Sequence, residues 1–567
     1  MFDARSVERF LHPENRFFDE EENLMCTLGE DKKKYHDICY NARYASFVIC
    51  LKQEKYYQRA AKILLRVLTL QDTDESSPTY GVWACVLEEP LEQMAYVDYN
   101  TADFLAKTFL DILYRNPGAI SGEIRRQLLL GLRRALESII RRNIAPDYTN
   151  ISIIGCMNLI AAGELLEEER YFAIGKRRLK KLYEYTKYTT GFSEYNSSDY
   201  ALLDIEEIAR MLDFFQDEEC RRIAEELNYY AWDMLTSHFN TSIEQLSPPQ
   251  SRAYINLEKG RINALIYLGT NGRYGRLERM EQMAPSWLIV TLKCPKACEE
   301  NLRMSGERWI EHTYYRRNSI ISPDEERAII LDENCPDMTA RTYMTEQYSM
   351  GSFSVSDLWG QRRTCMVLWG KENPCYIRLR GMKDDMDFCS AMVYASQYKN
   401  TILAHVGFVT DRGARHYNID GYKCTSYAAE KLCFKFELGG STEEVSVIRN
   451  GNEFLFRDKK MTVRLCIWDW LYNGSKGEIY LDEVNKRVEL ICFRDKRQEF
   501  DLNTLGKTYG VFTIEVNGKS DAVPKTEDRD CMMCSSYQAE QKILKVSSCY
   551  NPIRFREAVE KSVSALE

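Results

Sequence analysis

The sequence predicts a multidomain protein of class α and β, with a helical N-terminal half at residues 1–325 and a C-terminal antiparallel β-sandwich at residues 326–567. Three observations carry that expectation. The chain has 567 residues, past the size at which one hydrophobic core stops growing. Its apolar residues recur with a helical period from about residue 35 to about residue 240. After about residue 325 the period changes to two.

Ser121–Asn143 shows the helical period most clearly. Ile124, Leu128, Leu132, Leu136 and Ile139 form one stripe, while Arg125, Arg133 and Arg141 lie off it. Arg141 and Arg142 at its C-terminal end complement the helix dipole. Ile151–Leu166, Glu169–Tyr188, Leu202–Phe215 behind an Asp199 cap, and Cys220–His238 repeat the pattern. The loops between them are short, as consecutive antiparallel helices require. Such hairpins build a bundle, a solenoid or a closed toroid, and periodicity does not choose among these. In the second half Leu432–Leu438, Val463–Ile467 and Arg487–Cys492 alternate in polarity. Asn450-Gly451, Asn473-Gly474 and Asn517-Gly518 supply turns between such runs. Many short strands at this spacing argue a sandwich rather than a parallel sheet. Residues 240–325, with Pro248-Pro249, are expected to hold the crossing segment and a last helix or two. Residues 519–545, rich in Lys, Asp, Glu and Ser, read as a long surface loop.

Composition narrows the function classes. The 76 basic and 85 acidic residues are intermixed for a net charge of −9 without a long basic run, which argues against nucleic acid as a partner. The N-terminal run Met1–Phe10 is charged throughout and the longest apolar stretches, such as Ala45–Leu51, fall short of a membrane span. A cytoplasmic protein with no membrane partner is therefore expected, its 19 scattered Cys as reduced thiols. Aromatics make up 12% of the chain, and the flat faces of Tyr and Trp suit sugar rings as well as cores. Cys531-Met532-Met533-Cys534 has no second pair at zinc spacing, and neither a phosphate-binding Gly loop nor a Gly-x-Ser-x-Gly elbow occurs.

Four segments place polar and aromatic groups at helix starts or just after the last clear helix. They are Val97-Asp98-Tyr99-Asn100-Thr101-Ala102-Asp103-Phe104, Pro146-Asp147-Tyr148-Thr149-Asn150-Ile151, Gly191-Phe192-Ser193-Glu194-Tyr195-Asn196-Ser197-Ser198-Asp199-Tyr200, and Ser247-Pro248-Pro249-Gln250-Ser251-Arg252-Ala253-Tyr254. Each taken singly reads as capping and loop packing. In a ring of helices the same segments would converge on one mouth.

The Phe-x-Glu-Tyr-Asn-Ser, Asp-x-Asn-x-x-Asp-Phe and Ser-Arg-Ala-Tyr strings within them resemble the heparinase II/III-like polysaccharide lyase group. Thr342-Tyr343-Met344-Thr345-Glu346-Gln347-Tyr348-Ser349-Met350-Gly351-Ser352 and Trp359-Gly360-Gln361-Arg362-Arg363 resemble the start of the sandwich in that group. The resemblance covers most of residues 80–365. It implies an N-terminal α/α toroid, complete or incomplete, and β-elimination on uronic-acid-containing oligosaccharides. Removing the C5 proton requires the neighbouring carboxylate to be neutralised, which an Asn amide and an Arg guanidinium do. By motif position those are Asn150 and Arg252. Tyr195 or Tyr254 would transfer the proton. Asp98, Asn100, Glu194, Asn196 and Gln250 would bind the sugar.

Two positions depart from the group pattern. Gln250 stands where the group has a His just before Ser-Arg-x-Tyr, and Asn196-Ser197-Ser198-Asp199-Tyr200 replaces Asn-Ser-Pro-Thr-Tyr. Gln hydrogen-bonds but is no base, so Tyr would act alone, or the reaction would differ, or catalysis would be lost. His238 ends a helix near the expected mouth and reads as a partner of the helix dipole. His405, in a strand-like run, and His416 would reach from the sandwich side or else serve as satisfied structural residues. A glycoside hydrolase using two of Asp98, Asp147, Glu194 and Asp199 is the rival reading, and a catalytically silent carbohydrate-binding relative is the third. No cofactor is expected, and the resemblance leaves a structural divalent metal in the sandwich open. The expected partner is an oligosaccharide substrate, with oligomeric state undetermined.

Overall fold

The computed structural model describes residues 7, 11, 15–279, 282–314, 319–321, 329–331, 338–355, 360–415, 425–518 and 521–566. His416, Trp359 and all of Met1–Phe10 except Val7 lie outside the described residues. The first described strands make a three-stranded antiparallel sheet of β1 (Phe17–Asp19), β2 (Leu24–Leu28) and β3 (Lys34–Tyr35). Four helical hairpins follow. They pair α1 (Ile38–Cys50) with α2 (Tyr57–Thr69), α3 (Asn100–Arg115) with α4 (Gly122–Arg142), α5 (Thr149–Leu166) with α6 (Glu169–Tyr188), and α7 (Tyr200–Phe214) with α8 (Glu218–His238).

The first helix of each hairpin packs on the first helix of the next, so α1, α3, α5 and α7 form an inner layer and their partners an outer one. Burial follows from that placement. Outer α4 buries the stripe Ile124, Leu128, Leu132, Leu136 and Ile139, begins where Ser121 Oγ accepts the Ile124 N–H, and stops at Asn143 in the left-handed region. Inner α5 is buried without a break from Thr149 to Gly163. It is long and apolar enough to cross a membrane by composition alone, yet its burial inside the fold accounts for that pattern. The gap between α7 and α1 is sealed without a helix. Ile289 and Val290 pack against Ala209 of α7 and against Phe47, Cys50 and Leu51 at the end of α1. The helical half is therefore an incomplete α/α toroid, four hairpins closed by a plug of irregular chain.

After α9 (Arg261–Gly269) and the plug the chain enters the sandwich. The larger sheet runs in the order β15 (Glu478–Asp482), β16 (Arg487–Phe493), β11 (Leu432–Gly440), β8 (Cys375–Lys383), β7 (Cys365–Trp369), β6 (Tyr348–Phe353), β5 (Met338–Met344), β4 (Arg308–Tyr314). The second sheet runs β9 (Ala391–Tyr398), β10 (Thr401–Phe408), β17 (Tyr509–Val516), β14 (Thr462–Tyr472), β13 (Glu453–Arg457), β12 (Ser446–Asn450). Every ladder between these strands is antiparallel. Val367 and Ile377 of one sheet share a core with Ala404, Val406, Phe512 and Ile514 of the other. Edge strand β4 lies ahead of residue 325, within the stretch that sequence reading assigned to the helical half.

One expectation is corrected. The described part of 519–545 does not form a long loop: β18 (Lys525–Arg529), β19 (Met532–Ala539) and β20 (Lys542–Cys549) make a third antiparallel sheet. β18 is an edge strand exposed along its length, and its charges hid the strand pattern. Met533, Tyr537, Leu544 and Val546 bury their side chains with Phe555, Ala558 and Val559 of the closing helix α10 (Phe555–Ser564). This sheet also accounts for His405, whose Nδ1 and Nε2 lie 3.0 Å from Ser548 Oγ and 2.7 Å from Ser535 Oγ. It is a buried structural residue rather than one reaching toward the helical mouth.

Candidate active site

The turn Phe192–Asn196 between α6 and α7, the start of α5, and the segment Ser247–Tyr254 meet where the helical ring faces the sandwich. Their meeting is built by local rules. Asn196 takes a left-handed backbone with φ of 51°, which Asn tolerates better than other side chains. Its Nδ2 donates to the carbonyls of Ser247 at 2.7 Å and Pro249 at 2.8 Å. The sandwich holds the same segment from the other side. Thr342 Oγ1 donates to Pro248 O at 2.6 Å, Ser247 Oγ donates to Ser349 Oγ at 2.8 Å, and Gln250 and Arg363 exchange backbone hydrogen bonds. Gly351 is required there, because a Cβ on it would stand 2.0 Å from Pro248 O. Gly351→Ala is expected to displace residues 247–254, costing roughly 1–3 kcal/mol as an overpacking substitution and lowering any activity of the site; urea unfolding of the variant checks the first part.

On this scaffold Arg252, 6% exposed, becomes the hub. Its Nη1 donates to Glu194 Oε1 at 2.9 Å and its Nη2 to Tyr254 Oη at 3.1 Å. The guanidinium lies 4.5 Å from the centre of the Tyr200 ring and 5.9 Å from that of Tyr148. Glu194 Oε2 accepts the backbone N–H of Asn150 at 3.1 Å, so this carboxylate also caps the N-terminus of α5. Burial pushes the Glu194 carboxyl above the usual range even with Arg252 beside it. The Asn150 side-chain oxygen is buried and makes no hydrogen bond. Asn100 joins the edge of the cluster, its Nδ2 donating to Tyr148 Oη at 3.3 Å and its Oδ1 accepting from Arg142 at 2.6 Å. Tyr254 is 55% exposed, and its oxygen lies 2.9 Å from Tyr200 Oη.

Asp199 is expected to cap α7 but does not. Ser197 Oγ accepts the Tyr200 N–H at 3.2 Å, while Asp199 Oδ2 accepts from Tyr254 N at 2.8 Å and Oδ1 from Arg261 at 3.0 Å. Asp199 and Arg261 also border a cavity of about 420 Å³ in the bore of the ring. The same cavity is lined by buried Arg210, which binds Asp111, Glu206 and Glu207, and by Lys107, which binds Glu207.

Of the sequence-derived residues, the structure thus joins Asn150, Glu194, Arg252 and Tyr254, with Asn100 at the edge. Asp98 instead accepts the Asn100 N–H in a local turn, and Asn196 and Gln250 hold the 247–250 segment. Tyr195 lies apart, 3% exposed, in the core between ring and sandwich. Its Oη is 2.9 Å from His238 Nε2, and its ring stacks on His312 of β4 with centroids 5.3 Å apart. His312 was not singled out from sequence because it precedes residue 325; the alternation of Arg308–Tyr314 is the signal that would have found it.

His238 is not the charged partner of a helix dipole. Its Nδ1 is 2.9 Å from Met234 O, a pure acceptor, so Nδ1 carries the proton and Nε2 accepts from Tyr195 O–H. Burial pushes its pKa down from 6.5 to about 4. A folded pKa below the unfolded one means that the unfolded chain takes up a proton that the folded one refuses. His238 therefore makes stability rise with pH between about 4 and 6.5, by about 3 kcal/mol in all, and level off above. Urea unfolding of wild type and His238→Asn across that window is expected to show the steeper rise in wild type.

Residues 7–276 match a family described as a domain of unknown function, DUF8769. No curated protein matches the sequence. Among solved structures, the chain is similar to the crystal structure of heparinase III, at 11% identity with 97% of this chain and 91% of that chain covered and a TM-score of 0.47. It is also similar to a heparan sulfate lyase HepC mutant from Pedobacter heparinus, at 8% identity with 97% and 90% covered and a TM-score of 0.32.

Proposed function

We propose that the protein is a carbohydrate-active enzyme that cleaves uronic-acid-containing oligosaccharides by β-elimination, with Tyr254 as the residue that moves the proton. The observation that carries this reading is the Arg252 guanidinium, which donates to the oxygen of a half-exposed phenol while its other edge holds Glu194 beside Asn150. Deprotonated Tyr254 would take the C5 proton. The electron pair would form the C4–C5 double bond, the C4–O4 bond would break, and the phenol would return its proton to the departing O4. Charge building on the uronate carboxylate would be met by the Asn150 amide and by the cationic Arg252. Glu194 keeps Arg252 in place through the buried ion pair.

A hydrolase is the second reading, favoured by the different surroundings of two carboxyls in this cluster. Glu194 is buried and pushed upward, whereas Asp199 accepts from Arg261 and a backbone N–H. Incubation with a panel of uronate oligosaccharides separates the readings. Elimination yields an ultraviolet-absorbing unsaturated uronate, hydrolysis yields reducing ends without that absorbance, and binding without either product would reject both.

A further inference from the structure

We propose that Asp19, Cys26 and His36 form a site for a divalent transition-metal ion, zinc fitting best, that pins the N-terminal sheet to the helical ring. Asp19 ends β1, Cys26 lies in β2 and His36 follows β3, so the three-stranded sheet gathers them although they are far apart for a sequence motif. One ligand atom from each lies within 4.8 Å of the others. All three side chains are buried, at 5%, 0% and 3% exposure.

The orientation of His36 argues for an ion more strongly than the clustering does. Glu88 grips the residue twice, with Oε1 2.5 Å from Nδ1 and Oε2 3.1 Å from the backbone N–H. A carboxylate on Nδ1 places the ring proton there and leaves a lone pair on Nε2, the arrangement by which carboxylates behind a metal site orient metal-binding imidazoles. Nε2 is buried, makes no hydrogen bond, and faces Asp19 Oδ2 at 3.4 Å. Two lone pairs at that distance repel unless a cation stands between them or the ring carries a second proton.

One neighbour must move for the cation to enter. Lys34 Nζ lies 2.6 Å from Asp19 Oδ2, the oxygen that an ion would take. The Lys34 side chain is 46% exposed and can swing into solvent when an ion enters. One nitrogen, one sulfur and one oxygen donor suit zinc or cobalt rather than magnesium or calcium, with water as a fourth ligand. The ion would reinforce links already present: Met25 and Asn41 of α1 exchange hydrogen bonds, and Leu87 N donates to His36 O.

The test uses the full chain, reduced and stripped with a chelator, and titrated with Co(II) or Zn(II) alone. Stoichiometric uptake is expected, with a thiolate-to-cobalt charge-transfer band that Cys26→Ser removes. Zn(II) is expected to raise Tm in wild type and not in Cys26→Ser. Glu88→Gln, at a half-exposed position, is expected to weaken metal affinity by about 10–100-fold with an unchanged far-ultraviolet CD spectrum. Lack of stoichiometric uptake, the outcome for a doubly protonated His36 between two carboxylates, would overturn the proposal. So would a cobalt spectrum that Cys26→Ser leaves unchanged.

Discussion

Tyr254→Phe is expected to lower the rate of elimination by about 10²–10⁴-fold, the range for loss of a positioned proton-transfer group. Stability should fall by no more than about 3 kcal/mol, because the hydroxyl lost accepts from the charged Arg252 guanidinium but sits on a half-exposed side chain. Following the absorbance of the unsaturated product, alongside urea unfolding, separates the two quantities. Tyr195→Phe supplies the contrast. Its hydroxyl is buried against His238, so its loss should appear chiefly as stability. A rate untouched in Tyr254→Phe but abolished in Tyr195→Phe would move the proton transfer to the Tyr195–His238 pair.

Arg252→Met is expected to destabilise the fold by about 3–5 kcal/mol, the range for removing one partner of a buried ion pair. Glu194 would be left buried with only the Asn150 N–H and would have to take up a proton. The double variant Arg252→Met/Glu194→Gln removes the stranded charge together with its partner. It should recover most of the stability and none of the elimination activity. Urea midpoints of the two single variants and the double one check this. If the double variant were no more stable than Arg252→Met, packing on Tyr200 and Tyr148 rather than the ion pair would carry the effect of Arg252.

What sequence reading could reach follows from how each feature is encoded. The helices of the ring were legible because burial of one face stamps a period on the chain, as in the Ile124–Ile139 stripe. The plug of Ile289 and Val290 was not, since irregular chain has no period and its place depends on where α1 and α7 end. Asn150, Glu194, Arg252 and Tyr254 were found by motif, but motifs do not say which neighbour a side chain turns toward. Asn196 and Tyr195 flank the same turn as Glu194, yet one ties the backbone of Ser247 and Pro249 and the other packs behind it. The grouping of Asp19, Cys26 and His36 had no sequence signal, because strand register rather than spacing brings them together.

Strand β4 has a consequence for how the molecule can be divided. It is the outermost strand of the larger sheet, and it is also fastened to the ring: Arg308 donates to Ser237 O at 3.1 Å and to Asn301 O at 2.8 Å, and His312 stacks on Tyr195. A fragment begun at residue 326 would lack it and present all of β5, from Met338 to Met344, as a bare edge with unpaired backbone donors and acceptors. Such an edge recruits strands from other molecules. The two halves are thus joined by a shared structural member, not hung on a linker, and neither is a natural unit for separate expression.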